Sequence, residues 1–134
     1  MYLVDTNVLS ELPRPRPDPR VLSWLQGQSA IAISVVSVEE LVFGVARAPA
    51  ARRPTLNRWL DSVLDAAAQI LDVTAGVARA AGELRASREA AGRRVAQADM
   101  LIAATAVIHG LTLATRNVRD FADCGVALVD PFAA

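Results

Sequence analysis

Lysine is missing from this chain: all 14 of its basic residues are arginine, and it carries a single histidine and a single cysteine. With Cys124 alone there is no internal disulfide, and one Cys and one His cannot furnish the ligand set of a zinc site. That cysteine usage leads us to expect a cytoplasmic protein. One imidazole, His109, also excludes a metal-independent ribonuclease mechanism that needs two. The arginine-only basic set suits phosphate recognition through a planar fork, and genome composition accounts for it equally well. Excess charge is absent too, since 14 acids balance 14 bases. Any anionic partner must therefore be held locally rather than by a basic surface. The longest predominantly apolar stretch, Met100 to Ile108, is far shorter than the roughly 20 residues that cross a bilayer. No basic segment followed by an apolar one opens the chain, so neither export by that route nor membrane embedding is expected.

What is present is an ordinary globular composition: 134 residues, 53% hydrophobic, enough for one domain, 1–134, with a real core. Tyr2 to Val4 reads as a short buried strand. Thr6 to Leu12 begins a helix that "PRPRPDP" stops, because Pro13, Pro15, Pro17 and Pro19 cannot donate backbone hydrogen bonds. That segment is a stiff loop carrying Arg14, Arg16 and Arg20. Val21 to Leu25 suggests a second helix, "AIAISVV" a second buried strand, and "SVEELVFGVARA" a helix by its apolar spacing. Pro54 suits the first turn of a helix through Ala68, "QILDV" a third strand, and Ala75 to Ala91 an Ala-rich helix weakened by Gly76 and Gly82. "QADMLIAATAVIHG" is apolar nearly all round and ends on Gly110, which predicts a helix buried inside the domain. "LTLAT" and "VALVD" add two short strands. Strands separated by helices predict an α/β fold of three layers, α/β/α. Its central, mostly parallel sheet would have four to five short strands joined by right-handed crossovers.

Open parallel sheets collect ligands outside the carboxyl ends of their strands. Several acids or amides fall at such handovers. Asp5 follows the first strand, Glu40 lies in the first turn of the helix after the second, Asp99 opens the buried helix, and Asn117 and Asp120 follow the fourth. Each also has a structural reading. Ser37-Val38-Glu39-Glu40 fits a capping box, Asp5 a helix cap, Asp99 a first-turn acid opposing the helix dipole, and Asn117 with Asp120 an Asx-turn. Asp99 tips the balance. It is the only formal charge between Arg94 and Arg116, and an acid on an apolar helix is partly buried and calls for a cation. Clustered carboxylates suit a hard ion such as Mg²⁺ or Mn²⁺, and such a site suits phosphate chemistry.

"VDTNVLSEL", "ISVVSVEELVFG", "ADMLIAATA" and "LATRNVRDF" followed by "LVDPF" resemble the successive motifs of PIN-domain ribonucleases, in particular VapC-type toxins of toxin-antitoxin pairs. The resemblance runs from residue 2 to about residue 132. By it, Asp5, Glu40 and Asp99 match the family's acidic metal-site residues. Its fourth acid often falls where this chain has Asn117, a departure that Asp120 would make good. Thr6, Asn7 and Thr115 match polar residues that orient ligands or water. The implied activity is Mg²⁺- or Mn²⁺-dependent endonucleolytic cleavage of RNA, leaving 5′-phosphate and 3′-hydroxyl ends. A homodimer and a cognate antitoxin whose tail fills the cleft are implied as well. Apolar helix faces such as Leu41, Val42 and Val45, or Leu60, Val63 and Leu64, would serve those contacts or the core.

Arg116, beside the acids, is the favoured RNA-backbone contact, with Arg14, Arg16, Arg20, Arg93, Arg94 and Arg119 as further candidates. Trp24 and Trp59 would stack on bases or fill the core, and His109 would cap its helix. Two rival readings stay open. "VDTN" also resembles the nucleophile loop of haloacid-dehalogenase-type phosphatases, although Asn7 replaces their second Asp and the chain has no lysine. A catalytically degenerate domain of the same fold that only binds RNA or protein is the other.

Overall fold

A computed structural model describes residues 1–133. Within them five strands form one sheet: β1 (Tyr2–Val4), β2 (Ile31–Ser34), β3 (Gln69–Leu71), β4 (Thr112–Ala114) and β5 (Leu128–Val129). Their order is β3-β2-β1-β4-β5 and every neighbouring pair is parallel. Among the described residues six helices connect them: α1 (Thr6–Leu9), α2 (Pro19–Gln26), α3 (Val35–Ala46), α4 (Arg53–Ala66), α5 (Ala75–Ala90) and α6 (Gln97–His109).

The strand alternation produces the layers. Leu3, Ala32 and Leu113 point to one face, where Val77, Ala81, Met100, Ile102 and Phe121 complete an apolar cluster with α5 and α6. Val4, Ile33 and Ala114, each one residue later, point to the other face and join Val8, Val21, Leu41, Val45 and Leu60. Three layers result, as the alternation of strands and helices predicts.

Local chemistry moves some boundaries. Helix α1 ends at Leu9, and the chain continues to the prolines in hydrogen-bonded turns rather than as helix to Leu12. Strand β2 stops at Ser34, whose Oγ accepts from Val36 N–H at 3.1 Å and caps α3. Val35 and Val36 are therefore helical, their strand preference overridden by the cap. Ser37 lies inside the helix, fully buried. The Ser37–Glu40 capping box is thus not formed, and Glu40 sits in the second turn.

Helix α6 ends where Gly110 adopts φ 64°, a left-handed conformation that costs glycine little. His109 is exposed and the glycine supplies the cap. The helix is buried or half-buried from Ala98 to Ala106, but Val107 and Ile108 in its last turn are 44% and 49% exposed. Among the described residues no helix is long and apolar enough to cross a membrane.

Candidate active site

Because β2, β1 and β4 are adjacent, the turns after them stand side by side at the carboxyl edge of the sheet. A cleft of about 370 Å³ opens there, lined by the carboxylates Asp5, Glu11, Glu40 and Asp99. Thr6, Asn7, Ser10 and Asn117 complete its polar wall, and Arg14 and Arg116 are its cations. Residues as far apart as Asp5 and Asp99 thus share one space, as the handover argument anticipates.

Asp5 is 4% exposed. One of its oxygens accepts from Thr6 N–H at 2.8 Å, so it does cap α1. The other accepts from Thr115 Oγ1 at 2.8 Å and Asn7 Nδ2 at 3.3 Å. Capping and membership of the site are the same geometry. Burial raises its pKa, the Thr115 and Thr6 hydrogen bonds oppose the rise, and the Glu40 charge adds to it.

Thr6 ties the next carboxylate in. Its hydroxyl donates to Glu40 Oε1 at 2.7 Å and lies 2.9 Å from Ser37 Oγ. Thr115, fully buried, also accepts from Asn117 N–H at 3.0 Å and so bends the chain after β4. The turn there is built on Thr115 rather than as an Asx-turn on Asn117. Asn7 Oδ1 accepts from Arg116 N–H at 3.2 Å, joining the first and fourth handovers.

Asp99 differs from both. It stands in the first turn of α6, which has no side-chain cap, and among the described residues it has no hydrogen-bond or ion-pair partner. Burial and then the charges of Asp5, Asp120 and Glu40 push its pKa up to about 6. Asp120 is exposed and does not line the cleft, although its charge reaches Asp99. Asn117 does line it.

A divalent cation can be tested against these donors. The cleft carboxylates offer only hard oxygen, and ion pairs among the described residues join Arg14 to Glu11, Arg20 to Asp18 and Arg85 to Glu89, leaving Asp5, Glu40 and Asp99 without a counter-charge. Donor type and uncompensated charge fit Mg²⁺ or Mn²⁺. As they stand, no three His, Cys, Asp or Glu side chains among the described residues are already arranged to hold an ion.

The structure sorts the arginines. Arg14 and Arg116 line the cleft, and Arg116 stacks over the Phe132 ring at 4.7 Å. Arg20 is paired with Asp18 at 2.8 Å. Arg93 and Arg94 line a separate surface hollow, and Arg93 Nη2 donates to the Arg119 carbonyl at 2.9 Å. Trp24 packs edge-on against Tyr2, and Trp59 lines an apolar cavity next to the cleft; neither lines the cleft itself. Sequence reasoning missed Glu11, which is 7% exposed in the wall of the cleft. The signal was an acid set directly against the basic, proline-rich loop.

Residues 2–126 match the PIN domain. The chain is 38% identical to VapC ribonuclease Y4jK of Sinorhizobium fredii, over 98% of each protein. It is 36% identical to toxin FitB of Neisseria gonorrhoeae, over 98% of this chain and 99% of that one. The crystal structure of FitAcB from Neisseria gonorrhoeae superposes with a TM-score of 0.93 at 37% identity, covering 100% of both chains. A toxin-antitoxin complex from Klebsiella pneumoniae superposes at 0.76 with 27% identity, covering 98% of each.

Proposed function

The chain belongs to the PIN-domain family, and from that premise we propose that it is a divalent-metal-dependent endoribonuclease, the toxin of a toxin-antitoxin pair. The observation that carries this reading is the uncompensated set Asp5, Glu40 and Asp99 in one cleft. Names of relatives, ribonuclease for one and toxin for another, agree with it. In this reading the whole chain, 1–134, acts as a single cytoplasmic domain. It forms a homodimer and is silenced by a cognate antitoxin.

Asp5, Glu40 and Asp99 would hold Mg²⁺ or Mn²⁺, with Asp120 or Asn117 completing the set. Bound there, the cation would offset the charge of the scissile phosphate and make water more acidic. The chain's own residues orient the reaction. Thr6 and Thr115 fix two carboxylates by hydrogen bonds, so their oxygens need no reorganisation when substrate arrives. Asp99, unpaired and with its pKa raised to about 6 by burial and the neighbouring acids, is a carboxylate whose repulsion an arriving cation would relieve. Arg116, anchored over Phe132, contacts the RNA backbone. Water attacks phosphorus in line with the departing 3′ oxygen, and the products carry 5′-phosphate and 3′-hydroxyl ends.

Cleavage of total cellular RNA by the antitoxin-free protein tests this, with Mg²⁺ or Mn²⁺ against EDTA and against Asp99→Asn, and with product ends mapped. Metal-dependent cuts bearing 5′-phosphates, lost in Asp99→Asn, are the expected result. Failure of folded, metal-loaded protein to cut RNA would replace this reading with the non-catalytic binding module.

A further inference from the structure

Glu11 is the cleft carboxylate whose two oxygens both face the proline-rich loop. Oε1 accepts from Asp18 N–H at 3.1 Å, and Oε2 stands 3.5 Å from Arg14 Nε. The first bond clamps the two ends of the proline-rich loop together, since Asp18 is also the cap of α2. The second holds Arg14 through Nε, and no hydrogen bond among the described residues engages its two terminal nitrogens. Arg14 remains 62% exposed while its partner is 8% exposed, so the carboxylate is a buried post and the guanidinium a free head.

We infer that Glu11 is a positioning residue: it sets the proline-rich loop so that Arg14 reaches over the acidic cleft and grips a backbone phosphate of the RNA substrate. This inference rests on the ribonuclease reading of the cleft. Charge complementarity supports it. Asp5, Glu40 and Asp99 repel a polyanion, so the strand needs cations at the rim, and Arg14 and Arg116 are those that line the cleft. Arg116 is fixed through Asn7 and Phe132, and Arg14 through Glu11, so both donors are held before substrate arrives. Pro13, Pro15, Pro17 and Pro19 stiffen the loop between, which reduces the ordering cost of binding. Free terminal nitrogens on Arg14 match the bidentate geometry of a phosphate. Because Glu11 spends both oxygens on the loop and is paired with an arginine, it is a brace and stands apart from Asp5, Glu40 and Asp99, which have no counter-charge among the described residues.

The test uses the full-length, antitoxin-free protein and a short RNA oligonucleotide spanning its principal cut, with kcat and KM measured separately at several salt concentrations. Arg14→Ala is expected to raise KM about tenfold with kcat within about twofold, as loss of one charge-assisted phosphate contact would. The salt dependence of its binding should weaken by roughly 0.7 in log–log slope, the contribution of one phosphate contact on a single strand. Glu11→Gln keeps an acceptor for Asp18 N–H and removes the ion pair, and should raise KM about threefold. In an Arg14→Ala background it should add nothing. Equal effects of Glu11→Gln in both backgrounds, a fall confined to kcat, or an unchanged KM in Arg14→Ala would each overturn the inference. A wild-type protein that cuts no RNA would overturn the ribonuclease reading and this inference together.

Discussion

The two halves of the cleft are built on opposite terms. On the β1 and β4 side, Asp5 is enclosed by three donors, from Thr6, Thr115 and Asn7. On the α6 side, Asp99 faces the same space with no donor and no cation among the described residues. Both carboxylates have raised pKa values from burial, but only Asp5 has hydrogen bonds working against the rise. One half is preorganised and the other is left in want of positive charge. The fold bears that cost because the β-sheet and α6 are anchored elsewhere, by two apolar clusters on the two sheet faces.

Replacing the bare carboxylate should have the largest effect, and its two consequences should have opposite sign. Asp99→Asn is expected to cut RNA cleavage by about 10²–10³-fold or more, as removal of a transition-state electrostatic group does. The same change should stabilise the metal-free fold at pH 7 by about 1–2 kcal/mol, after allowance for solvent screening of a half-buried group. Urea denaturation of both proteins in EDTA, beside a cleavage assay, measures the two effects. A destabilised Asp99→Asn would show that Asp99 is structurally satisfied and would dissolve the contrast.

The enclosed carboxylate should respond the other way. Thr115→Val keeps the side-chain shape and removes the hydroxyl that donates to Asp5 and accepts from Asn117 N–H. Leaving buried partners unmet is expected to cost about 1–3 kcal/mol of stability, together with activity. Thr115→Ser, which restores the hydroxyl, should recover most of both.

A pH series sharpens the comparison. The folded-state pKa of Asp99, about 6, lies above its ordinary value of 3.8, so between those pH values the folded protein binds more protons than the unfolded chain. Its contribution is therefore fully present below about pH 4 and is lost as pH rises through about 6. Metal-free stability should fall over that window by about 1–2 kcal/mol from this group, with Asp5 acting in the same direction. In Asp99→Asn the slope should flatten. Added Mn²⁺ should reverse the loss at pH 7, since an ion that binds only the folded state stabilises it.

The bare half was easier to read from the sequence than the enclosed one. Asp99 announced itself as the sole formal charge in an apolar stretch, and Asp5 as an acid directly after a buried strand. Which serine opens α3 was not legible, because Ser34 and Ser37 can each cap a helix and the intervening valines favour a strand. Only packing of β2 against β1 and β3 decides for Ser34. Asp120 was placed with the acids by its spacing. Its distance from the cleft wall depends on a loop whose path is set by Thr115, by a left-handed Asp123 at φ 61° and by Gly125 at φ 74°. Glu11 escaped because its burial follows from where the proline-rich loop folds back, a tertiary fact that its place beside that loop hints at but does not decide.

The smallest effect belongs away from the cleft and isolates stability from charge. Gly82 lies on the exposed side of α5, and a Cβ there would meet nothing within 4 Å beyond the adjoining backbone of its own helix. Gly82→Ala should therefore stabilise the helix by about 0.5–1 kcal/mol through backbone entropy alone, with cleavage unchanged. The contrast with Asp99→Asn is then direct. Two substitutions that raise the denaturation midpoint by similar amounts should differ by orders of magnitude in activity, because one removes flexibility from the scaffold and the other removes the charge that the scaffold holds. If Gly82→Ala also lowered cleavage, motion of α5 against α6 would have to enter the account of the site. The stability gained in Asp99→Asn could then no longer be read as released electrostatic cost alone.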